Sequence, residues 1–251
     1  MSQMSFRLQE TEFLYEPYPI GIARGVLPQE VYRDLTRNWP DTGLFEFKQQ
    51  LGNKYSLSEV NNPGHYRRFV RSSAPWRELH AYVKSREFLH EVIALLYERH
   101  IDLGLGGQFL ARRAHGLSWL ERLKVLRRTH NLSARFEFSM LPADGGYIKP
   151  HTDAPAKIIT LVISIMAPGE WQASFGGGTE ILKPRDVTRS YNHMNRQFEF
   201  EQMETLGSFP FEPNQAVIFV KTFNSWHAVS PIRGTGSNIM RKTITINIES
   251  K

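Results

Sequence analysis

The stretch "GYIKPHTDAP" sets His151 and Asp153 two residues apart, bracketed by Pro150 and Pro155. Proline cannot donate to a strand ladder, so the pair is expected at a strand end. A His-x-Asp pair alone occurs by chance in many chains. Two later residues give it chemistry. His227 stands in "TFNSWHAVSPI", just beyond the apolar run "QAVIFVKT", and Arg241 opens the run "RKTITINIES". Two neutral imidazoles and one carboxylate can share one face of an octahedral ion and leave three positions open. Such a set has no soft sulfur and a reduced charge, which suits Fe(II). The open positions can accept a bidentate acid and then dioxygen. A guanidinium can hold the far carboxylate of that acid through two parallel, charge-assisted hydrogen bonds.

The elements around these residues are those that such a site needs. "SARFEFSML", "KIITLVISIM", "GGTEILK", "RQFEFEQME", "QAVIFVKT" and "RKTITINIES" are short runs rich in β-branched and aromatic residues, separated by turn formers. Their spacing predicts a sandwich or barrel. In the last run, Arg241, Thr243, Thr245 and Asn247 fall on one face and Ile244, Ile246 and Ile248 on the other. Such a strand can line a polar cavity while covering elements pack on its back. The first half reads as helical with irregular links. "LPQEVYRDLTRNWP" places Val31, Leu35 and Trp39 at helical spacing, and "APWRELHAYVKSREFLHEVIALLYERH" predicts two helices with a break near Ser85. The expected organisation is a mainly helical region, 1–130, packed on a strand-rich core, 131–251.

Composition narrows the function classes. With no cysteine, disulfides, thiolate metal sites and cysteine nucleophiles are excluded. No apolar run is long enough for a membrane helix, and "MSQMSFRLQETEF" lacks a signal-peptide pattern, so a cytoplasmic location is expected. The net charge of +6 permits an anionic partner without requiring one. Basic residues concentrate in Leu110–His130, where Arg112, Arg113, Arg122, Lys124, Arg127 and Arg128 accompany an apolar stripe. That pattern predicts an amphipathic helix with a solvated basic face, and no nucleic-acid motif accompanies it.

Taken in order, "GGYIKPHTDAP", "KIITLVISI", "GGGTEIL", "WHAVSPI" and "RKTITINI" resemble the Fe(II)/2-oxoglutarate-dependent oxygenases, most closely the prolyl-hydroxylase-like branch. The resemblance spans roughly 131–250. It implies an α+β fold whose core is a double-stranded β-helix, or jelly roll, with helices packed outside. By the same resemblance His151, Asp153 and His227 are the catalytic iron ligands. Arg241, with Thr243 and Thr245, would bind 2-oxoglutarate, and O2 would be the second co-substrate. The implied reaction is hydroxylation of an unactivated C–H bond with release of succinate and CO2. A small-molecule or carbohydrate-like substrate is the favoured expectation. Protein or prolyl substrates, nucleic acid, or a cupin-like metal binder without 2-oxoglutarate turnover are the alternatives. Halogenating relatives leave the carboxylate position empty, and Asp153 fills it. The strand "RFEFSML" carries no tyrosine of the kind that often contacts 2-oxoglutarate in this branch, and Arg233 competes with Arg241 for the carboxylate.

The remaining candidates are weaker. Tyr147, Arg189, Asn192, His193 and Trp226 flank the ligand segments and are candidates for substrate contact. "FGGGTEIL" is read as a tight turn between strands, since no helix follows it to face an anion.

Overall fold

In the computed structural model, which describes residues 5–103 and 132–250, the chain opens with a strand pair, β1 (Glu12–Leu14) and β2 (Ile20–Arg24). Helix α1 (Gln29–Arg37) follows Pro28, whose fixed φ suits a helix start, and buries Tyr32 and Leu35. Strands β3 (Glu46–Lys48) and β4 (Lys54–Ser58) come next, then α2 (Pro63–Ser72), α3 (Ala74–Val83) and α4 (Arg86–Glu98). Ser85 divides the last two: its hydroxyl accepts from Phe88 N at 3.1 Å and caps α4.

From Leu132 on, the described residues form strands and loops with short 3-10 turns. The strands are β5 (Leu132–Pro142), β6 (Ile148–His151), β7 (Lys157–Ser164), β8 (Thr179–Pro184), β9 (Met203–Phe209), β10 (Gln215–Val220), β11 (His227–Val229) and β12 (Met240–Ser250). Two antiparallel sheets result. The larger runs β1-β2-β10-β7-β12-β5-β4-β3 and the smaller β6-β11-β8-β9. With the helices this is an α+β architecture. The antiparallel pairings bring the connections after β6, β8 and β10 to one end of the sheets, and β12 enters from the opposite end.

Strand β12 shows why the register is secure. Ile244, Ile246 and Ile248 are fully buried in one cluster with Trp76, Leu79, Phe88 and Leu96 of the helices. Each isoleucine contributes about 2 kcal/mol by leaving water. A one-residue slip would bury the Arg241 face in that cluster instead, so the slip is forbidden and the polar face must point between the sheets. Aromatic packing reinforces this arrangement, with the Trp76 and Phe138 rings edge to face at 4.7 Å.

Some segments differ from what their local pattern suggests. Strands β1 to β4 and helix α2 lie where the sequence reads as helices and irregular links. Strands β2 and β4 owe their state to distant partners, Ile22 pairing with Val217 and Leu57 with Phe138, and β1 and β3 pair onto them as edge strands. In "RQFEFEQME" the strand starts only at Met203, because Glu199 and Gln202 cap each other in a short turn before it. The basic segment Leu110–His130 lies outside the described residues. Among the described residues no helix is long and apolar enough to cross a membrane.

Candidate metal centre

His151 is the last residue of β6 and His227 the first of β11, and the two are direct partners in the ladder. Their ring centroids lie 4.3 Å apart. Strand pairing thus joins two imidazoles that are remote in sequence. Asp153 follows with φ +71°, in the left-handed region that a non-glycine residue adopts only when its surroundings impose it. That turn folds the carboxylate back onto the imidazoles. Oδ1 lies 3.6 Å from His151 Nε2, and Oδ2 lies 3.9 Å from His227 Nε2. One donor atom from each of the three lies within 4.8 Å of the others, a grouping that can hold a metal ion.

The groups behind the donors set their state. His151 Nδ1 is 2.8 Å from Lys149 O, and His227 Nδ1 is 2.8 Å from Ser225 O. A carbonyl only accepts, so in each neutral ring Nδ1 carries the proton and Nε2 keeps its lone pair for a metal. Burial, aided by His151, pushes His227 down to about 3 against the pull of Asp153, so the ring is neutral at pH 7. Burial works to raise the Asp153 carboxyl, but Lys157 and the two histidines outweigh it and hold it well below the ordinary range. Lys157 Nζ stands 2.5 Å from Oδ1, and Thr160 donates to Oδ2 at 2.9 Å. The donor set therefore offers one carboxylate and two imidazole Nε2 atoms.

The three residues line a cavity of about 120 Å³ between the sheets, shared with Val162, Phe219, Thr179, Thr243, Thr245 and Arg241. Arg241 is 5 % exposed. Its Nε donates to Gly177 O at 2.6 Å, and its guanidinium lies 4.3 Å from the centroid of the Phe211 ring. Gly177, in the triple-glycine turn, has φ +78°, and a Cβ there would press on Trp171 and on Arg241 Cδ. The turn thus serves the arginine. Among the described residues no carboxylate pairs with Arg241. Burial alone pushes it down to about 9, which leaves it charged at pH 7. With Nε and one face engaged, the two Nη groups remain to serve an anion in the cavity.

The other sequence candidates are spread around this core. Thr243 is buried and Thr245 partly so, both on the cavity face of β12. Tyr147 is half-buried and edge-on to Phe200 at 6.3 Å, away from the cavity wall. Trp226 is fully buried, donates to Ser190 O at 2.9 Å and packs on Phe198, so it supports the fold around its neighbour His227. Arg189 is exposed and pairs with Asp186 at 3.3 Å. Asn192 is buried and its carbonyl accepts from Thr152 Oγ1 at 2.8 Å, while His193 is exposed against Phe223. Arg233 is exposed and bridges to Asp144 through the backbone.

Five polar cavity residues escape a reading of the sequence: Lys54, Ser139, Lys157, Thr160 and Thr179. Lys157 and Thr160 had a signal, four and seven positions after Asp153 on the strand that follows. Lys54 had none, since it arrives from the first half of the chain and pairs with buried Glu137 at 2.6 Å.

No family model matches the chain, and no curated protein does. Solved structures similar to it include a prolyl-4-hydroxylase of Pseudomonas putida, at 14% identity and TM-score 0.47 over 92% of both chains. A prolyl hydroxylase of Trichoplax adhaerens, in complex with a hypoxia inducible factor oxygen degradation domain peptide fragment, is 12% identical at TM-score 0.46, covering 92% of this chain and 83% of that one. The non-heme alpha ketoglutarate dependent epimerase SnoN from nogalamycin biosynthesis is 11% identical at TM-score 0.47, covering 92% and 76%. What the site can do is read from its own side chains.

Proposed function

We propose that this chain is an Fe(II)- and 2-oxoglutarate-dependent oxygenase of the prolyl-hydroxylase-like kind, built on a double-stranded β-helix and acting as a hydroxylase. The observation that carries this is the pairing of two features in one cavity. A His-Asp-His donor set stands in it, and a buried guanidinium, which no carboxylate among the described residues pairs with, faces the same space. A buried charge without a partner is costly, so a protein that keeps one has an anion to meet. A cupin-like metal binder would have no use for it.

His151, Asp153 and His227 would hold Fe(II) through Nε2, a carboxylate oxygen and Nε2. When bound, Fe(II) with 2-oxoglutarate and O2 supplies an oxidative decarboxylation: one oxygen atom enters succinate as CO2 leaves, and the other hydroxylates a C–H bond. Arg241 would clamp the far carboxylate of 2-oxoglutarate through its free Nη groups, with the Thr243 and Thr245 hydroxyls beside it. Val162, Phe219 and Ile148 supply apolar walls that thin out water around the reacting groups. Lys157 and Thr160 fix the rotamer of Asp153. The favoured substrate is a small molecule, since the donor set sits in a narrow cavity between the sheets.

Anaerobic addition of Fe(II) and 2-oxoglutarate tests the proposal. A weak visible charge-transfer band of the chelated 2-oxo acid is the expected result, with succinate formed once O2 is admitted. Absence of the band in the wild-type protein, or full succinate formation by Arg241→Ala, would sink it.

A further inference from the structure

The end of the sheets that carries the ligands bears on the substrate. The connections after β6, β8 and β10 meet at the ligand end, and those after β8 and β10 turn large apolar side chains to water there. Tyr191 and Met194 are each 68 % exposed and Phe223 46 %. Tyr191 and Phe223 come from different connections yet lie stacked, with centroids 4.5 Å apart and 26° between planes. His193 adds a third ring 5.5 Å from Phe223. This platform is fastened to the ligand turn. Asn192 N donates to Phe223 O at 2.8 Å, and Asn192 O accepts from Thr152 Oγ1 at 2.8 Å. Thr152 is the residue between His151 and Asp153.

A cation stands beside the platform. Lys221 is half-buried, and among the described residues its Nζ reaches only the Asn192 carbonyl, at 3.4 Å. The two lysines that line the cavity are committed, Lys54 to Glu137 and Lys157 to Asp153, and Lys149 on β6 pairs with Glu199, at 2.5–2.6 Å. Among the described residues no carboxylate lies within ion-pair distance of Lys221. Burial pushes this ammonium below the usual lysine range, with Asp153 pulling the other way. A partly desolvated ammonium without a counterion, next to an exposed ring pair, matches one kind of ligand.

We infer that the substrate is an aromatic organic acid, its ring laid on the Tyr191–Phe223 stack and its acidic group held by Lys221. This rests on the oxygenase reading, which makes the ligand end the place where substrate must approach. A flat ring matches the quadrupole of the exposed pair, and an anion restores to Lys221 what burial removed. A neutral sugar could use the rings but would leave the ammonium unmet.

The test is calorimetric titration of anaerobic protein loaded with Fe(II) and 2-oxoglutarate, using 3-phenylpropionate, its amide and hexanoate as probes. The acid should bind at least ten-fold tighter than either comparison compound. Lys221→Met should erase the preference for acid over amide, and Lys221→Arg should restore it. Phe223→Ala should erase the preference for phenyl over alkyl. If the wild-type band forms but none of the probes binds, or acid and amide bind alike, or hexanoate matches the phenyl acid, this inference falls and the oxygenase reading stands. If the wild-type band does not form, both fall.

Discussion

His151 and His227 face each other across the β6–β11 ladder, and each turns Nδ1 to the carbonyl two residues before it, Lys149 O and Ser225 O. Backbone, not side chains, therefore sets both tautomers before any metal arrives. Replacing either histidine with alanine should weaken binding of Mn(II), an oxygen-stable stand-in, by at least 100-fold. Near-normal Mn(II) affinity in either variant would show that the ring is not a ligand.

Asp153 offers a cleaner separation of charge from backbone. Asparagine tolerates the left-handed region as aspartate does, so Asp153→Asn keeps the turn at φ +71° while removing the anion. The variant should stay folded but lose thermal stability, because Lys157 is left without its buried partner, while Mn(II) affinity falls at least 100-fold. A folded variant that still binds Mn(II) would contradict the assignment.

Lys157 should act on the two ligands of the site with opposite signs. Its ammonium, 2.5 Å from the carboxylate, repels a divalent cation and attracts a dianion. Lys157→Met should therefore tighten Mn(II) binding several-fold and weaken 2-oxoglutarate binding several-fold in the Mn(II)-loaded protein. If both affinities fall together, Lys157 merely supports the fold.

Arg241→Lys separates charge from fork geometry. A lysine keeps the charge but loses both the bond to Gly177 O and the paired Nη donors. The expected loss of 2-oxoglutarate affinity is about 10–100-fold, roughly 1.4–2.8 kcal/mol, with Mn(II) affinity unchanged. Equilibrium binding of each ligand decides it.

Glu59 carries a pH prediction away from the site. Burial works to raise its carboxyl, but His80 and Lys84 outweigh it and hold it at about 2. A depressed carboxylate stabilises the fold fully above its unfolded value near 4.5, and that contribution is lost as pH falls from there towards 2. Because the side chain is 30 % exposed, the contribution is about 2 kcal/mol rather than the full shift. Denaturant midpoints of wild type and Glu59→Gln should differ most above pH 5 and converge as pH approaches 2. A difference independent of pH would exclude this cause.

What the sequence by itself determined is local and periodic. The two-residue alternation of β12 assigned Arg241, Thr243 and Thr245 to one face and three isoleucines to the other, because strand geometry leaves no third choice. The bracketing prolines put His151 and Asp153 at a strand end, and the order of motifs pointed to His227. The tertiary structure decided what depends on contacts between distant residues. It brought His227 opposite His151, delivered Lys54 from the first half of the chain, and made strands of β2 and β4 by pairing them with residues far ahead. It also joined Tyr191 to Phe223 across two connections. Such relations rest on ladder partners and packing, and no spacing in the chain encodes them.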